Sequence, residues 1–156
     1  MTVIIKGHKM PSEPTDPNLA IALFSEVVAA EQTIKGGLSR TLPKGMETSH
    51  FSVLNHLVVV TGERSPAQLA QTFHVTRGAM TNTLNKLELA CYIHIRPDWD
   101  DARRKMVAIS PAGRQARTLA IDAIAPMINQ VVEELGADRV RAVLPVLRDL
   151  RGRLES

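Results

Sequence analysis

The sequence predicts a mainly α-helical protein carrying one small β-hairpin, with helices at both ends of the chain that are too apolar to stand alone. Three observations lead there. Hydrophobic residues make up 44% of the 156 residues but aromatic ones only 3%, a balance that favours helices packed through Leu, Val, Ile and Ala over a β-sandwich. Apolar residues recur at three- and four-residue steps along most of the chain, and the period shrinks to two only around Ile93–Ile95 and Val107–Ile109. Cap residues followed by proline stand at Asp16-Pro17, Ser65-Pro66 and Ser110-Pro111, marking three helix starts.

Taken in order, residues 1–16 hold Pro11, Pro14 and Asp16 without a helical period. They read as an N-terminal arm, either a frayed terminus or a segment crossing to a partner subunit. From Pro17 a first helix carries Ala20, Leu23, Phe24, Val27, Val28, Ile34 and Leu38. Gly36 and Gly37 weaken its end, and Pro43-Lys44-Gly45 form the connection. A second helix runs from about Thr48 through Phe51, Leu54, Leu57 and Val58 to Thr61-Gly62. A short third helix, Ala67 to Phe73, follows the Ser65 cap. Thr76 caps a fourth, whose buried face is Met80, Leu84 and Leu87 and whose end lies near Ala90-Cys91.

The two strands are joined by a polar loop from Pro97 to Arg104. Ser110 launches a long fifth helix, which Pro126 should kink and Gly136 should end. Asp138 is expected to cap a sixth, with Pro145 a second kink. These last helices are apolar on more sides than one core requires. Residues 17–45 and 110–156 therefore read as dimerisation helices around a lobe at 46–109. A short helix, a turn, a second helix and then a hairpin is the layout of a winged helix-turn-helix.

Composition narrows the function classes. One cysteine excludes an intramolecular disulfide framework and suits a reducing cytoplasm. The apolar runs fall far short of the ~20 residues of a membrane span, and Met1 to Met10 lacks the apolar core of a secretory signal. A soluble, cytoplasmic protein with no membrane partner is the expectation. The formal charge of +3 permits nucleic-acid binding without proving it.

The placement of the charges says more. With Met80, Leu84 and Leu87 facing the core, Gly78, Asn82 and Asn85 point outward, flanked by Arg77, Thr81 and Lys86. This face carries no carboxylate. It offers amides and hydroxyls for base edges, with Arg77 for guanine or phosphate and Lys86 for phosphate. Gly78 removes a side chain where the helix N-terminus, which itself attracts phosphate, would approach the groove most closely, and the caps Ser65 and Thr76 are further DNA-binding candidates. Arg103 and Arg104 lie in the hairpin loop, where an arginine can enter a narrow minor groove. Asp101 is expected to support the wing by orienting a guanidinium through a bidentate hydrogen bond. The alternatives are an ordinary solvated helix face and a surface salt-bridged turn.

The stretch from about His50 to Arg114 resembles the MarR (multiple-antibiotic-resistance regulator) family. The resemblance is carried by Phe51-Ser-Val-Leu54-Asn-His-Leu57, by Ser65-Pro-Ala-Gln-Leu-Ala70 and by Val75-Thr-Arg-Gly-Ala-Met-Thr-Asn-Thr-Leu-Asn-Lys-Leu-Glu88. Most specific is Asp101-Ala-Arg103-Arg-Lys-Met-Val-Ala-Ile-Ser110-Pro-Ala-Gly113, similar to that family's wing motif. The resemblance implies a homodimer joined through the terminal helices, two recognition helices in successive major grooves of double-stranded DNA, and Arg103 at the minor groove. It implies a regulator, commonly a repressor on a pseudo-palindromic operator, released by a small phenolic or carboxylate-like effector. His50, with Leu54 beside it, lies near where such ligands lodge. One departure stands out: Cys91 occupies the position where the family usually ends its recognition helix with Gly.

Rival readings are a redox-responsive regulator acting through Cys91 and a winged helix that binds protein only. The first is opposed by the helix C-terminus, whose dipole disfavours a thiolate. The second is opposed by the acid-free face from Arg77 to Lys86. His50 and His56 do not share a helical face, so no metal site is expected, and no motif of an enzyme or of a cofactor site occurs.

Overall fold

A computed structural model of the chain describes residues 16–155, so the expected arm lies, apart from Asp16, outside the described residues. The elements run α1 (Pro17–Thr41), α2 (Thr48–Val59), α3 (Pro66–Thr72), α4 (Arg77–Leu89), β1 (Ile93–Pro97), β2 (Lys105–Ile109), α5 (Pro111–Leu135) and α6 (Ala137–Leu154). The chain divides into two compact units between Gly37 and Leu38.

In the first unit Asp16 opens α1: its Oδ1 accepts the Asn18 N–H at 2.9 Å, with Pro17 at the position where a missing N–H costs nothing. Leu19, Ile21, Leu23, Phe24, Val28 and Ile34 are all exposed along this helix. Gly36 and Gly37 do not end it. The helix continues to Thr41, and the Leu42 N–H still reaches the Leu38 carbonyl at 2.8 Å.

The second unit holds the core. Val53, Leu54 and Leu57 from α2 meet Leu69 and Ala70 from α3, Met80, Leu84 and Leu87 from α4, Ile93 and Val107 from the strands, and Ala116 from α5. Each fully buried leucine or isoleucine in that set contributes about 1.5–3 kcal/mol over its exposed state. Leu42, Ala120 and Ile124 form a smaller cluster beside Phe51 and Met46. In the sheet β1 and β2 pair antiparallel, Ile93 opposite Ile109 and Ile95 opposite Val107. Arg64 adds a third, one-residue strand: its N–H donates to the Val107 carbonyl at 3.1 Å and its carbonyl accepts from Val107 at 2.8 Å. A single bridge has no periodicity, so the sequence carries no sign of it.

Helix ends explain how the turn and wing are placed. After α4, Tyr92 N–H reaches the Leu87 carbonyl at 2.9 Å and Cys91 N–H reaches that of Glu88 at 2.8 Å. This is a Schellman closure, with Cys91 in the left-handed position at φ +60°. The same closure ends α3, with His74 at φ +52°. Cys91 thus adopts the conformation that glycine would supply without strain, and the course of the chain into the wing is kept.

The start of α5 fixes this corner from the other side. Ser110 Oγ accepts the Gly113 N–H at 2.9 Å and donates to the Cys91 carbonyl at 2.7 Å, and the Ser110 N–H donates to that of Tyr92 at 3.0 Å. The helix runs on through Pro126 to Leu135, and α6 runs through Pro145. Gly136, at φ +88°, both ends α5 and caps α6. Asp138 is not the cap; it sits in the first turn of α6 and pairs with Arg141 at 2.7 Å. Leu119, Ile128, Val131 and Leu135 of α5 are exposed, as are Val143, Leu144, Val146, Leu147 and Leu154 of α6.

Candidate nucleic-acid interface

Ser65 and Thr76 each start a helix of the helix-turn-helix and each spend side-chain capacity on doing so. Ser65 Oγ accepts the Gln68 N–H at 3.2 Å while Gln68 Oε1 accepts the Ser65 N–H at 2.8 Å, a reciprocal capping box. Thr76 Oγ1 accepts the Ala79 N–H at 3.1 Å. Both hydroxyls keep a proton to donate, because capping uses them as acceptors. Ser65 is buried and Thr76 exposed.

On α4 Met80, Leu84 and Leu87 face the core, and Arg77, Gly78, Thr81, Asn82, Asn85 and Lys86 are exposed. Nothing lies within 4 Å of where a Gly78 side chain would begin, so the first turn is open to an approaching surface. Thr81 Oγ1 donates back to the Arg77 carbonyl at 2.8 Å, which leaves this hydroxyl only acceptor capacity outward. Lys86 is not a free cation: its Nζ donates to Glu47 Oε1 at 2.7 Å. That contact, followed by the nearby His50, holds the Glu47 carboxyl below the usual carboxylate range. Glu47 is thirty-nine positions away in the chain, which is why the acid-free reading of the helix face missed it.

The wing loop is closed by its own backbone. Asp98 N–H donates to the Arg104 carbonyl and Arg104 N–H to that of Asp101, both at 2.9 Å. Asp101 Oδ1 accepts the Arg103 backbone N–H at 3.1 Å. The expected carboxylate–guanidinium pair is thus replaced by an Asx-type turn, the geometry an aspartate adopts two residues before an N–H it can reach. Asp101 supports the wing through its backbone, and the Arg103 side chain stays exposed.

These elements enclose a groove of about 460 Å³ lined by Ser65, Pro66, Ala67, Arg77, Thr81, Arg103, Arg104 and Lys105. It joins the start of α3, the first turns of α4 and the wing. Four of its eight residues are cationic and none is acidic, so it favours polyanions. Asn82, Asn85 and Lys86 are not among its lining residues; they continue along α4 beyond it.

His50 and Leu54 fall in different places. Leu54 is fully buried in the core and lines neither of the cavities described in this unit. His50 borders a second cavity of about 360 Å³ with Glu47, Lys86, Leu87 and Tyr92. Its Nδ1 accepts the Glu47 N–H at 3.2 Å, which fixes the neutral tautomer with the proton on Nε2. Nε2 is buried without a hydrogen-bond partner, 4.0 Å from Glu47 Oε2. Burial pushes the His50 pKa down, against the pull of the Glu47 carboxylate. The His50 imidazole therefore closes the N-terminus of α2.

Among the described residues no group of three or more His, Cys, Asp or Glu side chains could hold a metal ion. No described helix is long and apolar enough to cross a membrane. Cys91 is exposed.

Residues 44–104 match the model of the MarR family. No curated protein matches the chain. Among solved structures, the transcriptional regulator BldR from Sulfolobus solfataricus is 23% identical with a TM-score of 0.80, over 90% of this chain and 99% of that one. A mutant MarR from E. coli complexed with operator DNA is 22% identical with a TM-score of 0.72, over 87% and 99%. BpsR from Bordetella bronchiseptica, whose DNA binding is regulated by 6-hydroxynicotinic acid, is 16% identical with a TM-score of 0.71, over 83% and 98%. Helix-turn-helix and hairpin wing coincide with the fold of these structures, and the segment matching the MarR family model runs from just before α2 to the wing loop: the chain is a winged helix-turn-helix protein whose residues 44–104 are similar to the MarR family.

Proposed function

We propose that the chain is a sequence-specific, double-stranded-DNA-binding repressor acting as a homodimer on a pseudo-palindromic operator and released by a small effector. One observation carries the DNA contact. The groove between α3, α4 and the wing places Arg77, Arg103, Arg104 and Lys105 around one acid-free surface, next to the open first turn of α4. Residues 46–109 act as the DNA-binding lobe in this reading. Arg77, Asn82 and Asn85 face base edges, Ser65 and Thr76 offer hydroxyl protons to phosphate, and Arg103 enters the minor groove.

Dimerisation is supported separately in each unit by apolar residues left exposed: Phe24, Val28 and Ile34 on α1, and Val131, Leu144 and Leu147 on the last two helices. Apolar surface of this kind calls for a partner, and a second copy with two-fold symmetry would match a palindromic site. Effector release draws on the BpsR precedent and acts only if the ligand favours one spacing of the two lobes over another.

The test is DNA binding by fluorescence anisotropy across a salt series. Binding that weakens steeply with salt is expected, together with a loss of about 1–3 kcal/mol for Arg103→Ala. A flat salt response, or full affinity in Arg103→Ala, overturns the assignment of this groove.

A further inference from the structure

The wing carries a side-chain relay that the DNA-binding reading does not use. Arg96, on β1, donates from Nε to Glu63 Oε1 at 2.9 Å and from Nη2 to Glu63 Oε2, a fork-to-carboxylate pair. Its Nη1 donates to the Pro97 carbonyl at 2.7 Å. The same guanidinium lies 4.5 Å over the ring of Trp99, the only tryptophan, which is otherwise 84% exposed in the wing loop. Glu63 sits between α2 and α3, next to Arg64, whose backbone is bonded in both directions to Val107 of β2. The base of the helix-turn-helix is thus joined to the tip of the wing through Glu63, Arg96 and Trp99.

We propose that Glu63, Arg96 and Trp99 form a brace that sets the pose of the wing tip, so that Arg103 is presented to DNA already in place. The brace rests on the DNA-binding reading above. Trp99 and Arg103 belong to one loop, closed by the Asp98–Arg104 and Arg104–Asp101 backbone bonds, so fixing one limb restricts the other. A loop arginine that must be ordered on binding loses affinity to conformational entropy; one held beforehand does not. A bidentate guanidinium has a fixed plane, so it can hold an aromatic ring at a set height and tilt. A large aromatic side chain 84% exposed at a loop tip gains little from burial, and its ring is stacked on Arg96.

The test uses the full-length protein and a duplex selected by it from a random-sequence library. Arg96→Ala and Trp99→Ala are each expected to weaken binding about tenfold. In an Arg103→Ala background the same changes should cost less than about twofold, because the brace acts through that arginine. Trp99→Phe, which keeps a ring face for Arg96, should restore most of the affinity. Full multiplication of the effects in the Arg103→Ala background overturns the brace and assigns Trp99 a DNA contact of its own. In the free protein, acrylamide should quench Trp99 more strongly once Arg96→Ala or Glu63→Gln releases the ring. Unchanged quenching overturns the brace without reference to DNA. Failure to select any duplex instead overturns the DNA-binding reading and leaves the quenching result standing.

Discussion

Replacing Gly113 by alanine sets two physical effects of opposite sign against each other. Gly113 is the third residue of α5, where helix propensity alone favours alanine by up to about 1 kcal/mol. A Cβ there, however, would stand 2.0 Å from the Tyr92 carbonyl oxygen and 2.9 Å from Ile109 Cγ1. An ordinary carbon–oxygen contact needs about 3.3 Å or more, so the backbone must part by over an ångström. The groups that would part are those bonded at this corner: Ser110 N–H to Tyr92 at 3.0 Å and Ser110 Oγ to Cys91 at 2.7 Å. Losing both costs about 2 kcal/mol, and overpacking adds about 1–3 kcal/mol. The net expectation is a loss of about 2–4 kcal/mol after the propensity gain, a large share of the roughly 5–15 kcal/mol that holds a domain folded. Urea unfolding at one fixed protein concentration reads it as a lower midpoint with an unchanged slope. Gly152→Ala in α6, where nothing lies within 4 Å, is the control and should gain stability. A Gly113→Ala protein within about 1 kcal/mol of the parent would refute the reasoning.

The left-handed Cys91 makes a second prediction: Cys91→Gly relieves the strain at φ +60° and raises stability by up to about 1 kcal/mol, measured as a higher thermal midpoint. A lower midpoint would show that the thiol packs usefully, although Cys91 is exposed. Acid should weaken the fold through His50 and His56, whose pKa values are both lowered by burial. The unfolded chain then binds protons first as pH falls through about 6.5, so this stability is fully present above that value and is lost below it, down to the folded-state pKa values. Unfolding midpoints at about pH 7.5 and about pH 5 should differ accordingly, and His50→Gln should shrink the difference. An equal difference in that variant would place the acid sensitivity elsewhere.

What was legible in the sequence was whatever depends on period and on neighbours in the chain. The alternation at Ile93–Ile95 and Val107–Ile109 fixed the hairpin, and the spacing of Met80, Leu84 and Leu87 fixed the inner face of α4. The caps at Ser65, Thr76 and Ser110 lie where their short-range pattern put them. Other features escaped because nearby alternatives compete on equal terms. Asp138 and Gly136 both suit a helix start, and the positive φ at Gly136 settled the boundary two residues earlier. The third strand at Arg64 depends on a partner forty-three positions away.

Side-chain partners across the fold were the least legible part, and they bear most on function. From sequence, Lys86 beside the carboxylate-free face of the fourth helix and Arg103 in the hairpin loop both read as cations offered to DNA. In the structure Lys86 is bonded to Glu47 and Arg103 has only its backbone held by Asp101. An anion approaching Lys86 must therefore displace a 2.7 Å carboxylate contact, whereas one approaching the groove at Arg77, Arg103 and Arg104 meets no competing acid among its lining residues. The difference shifts the electrostatic centre of the surface from the length of α4 to its first turns and the wing. Under the proposed function, phosphate contacts then concentrate at the first turns of α4 and the wing, while Lys86 ties α4 to the start of α2 through Glu47.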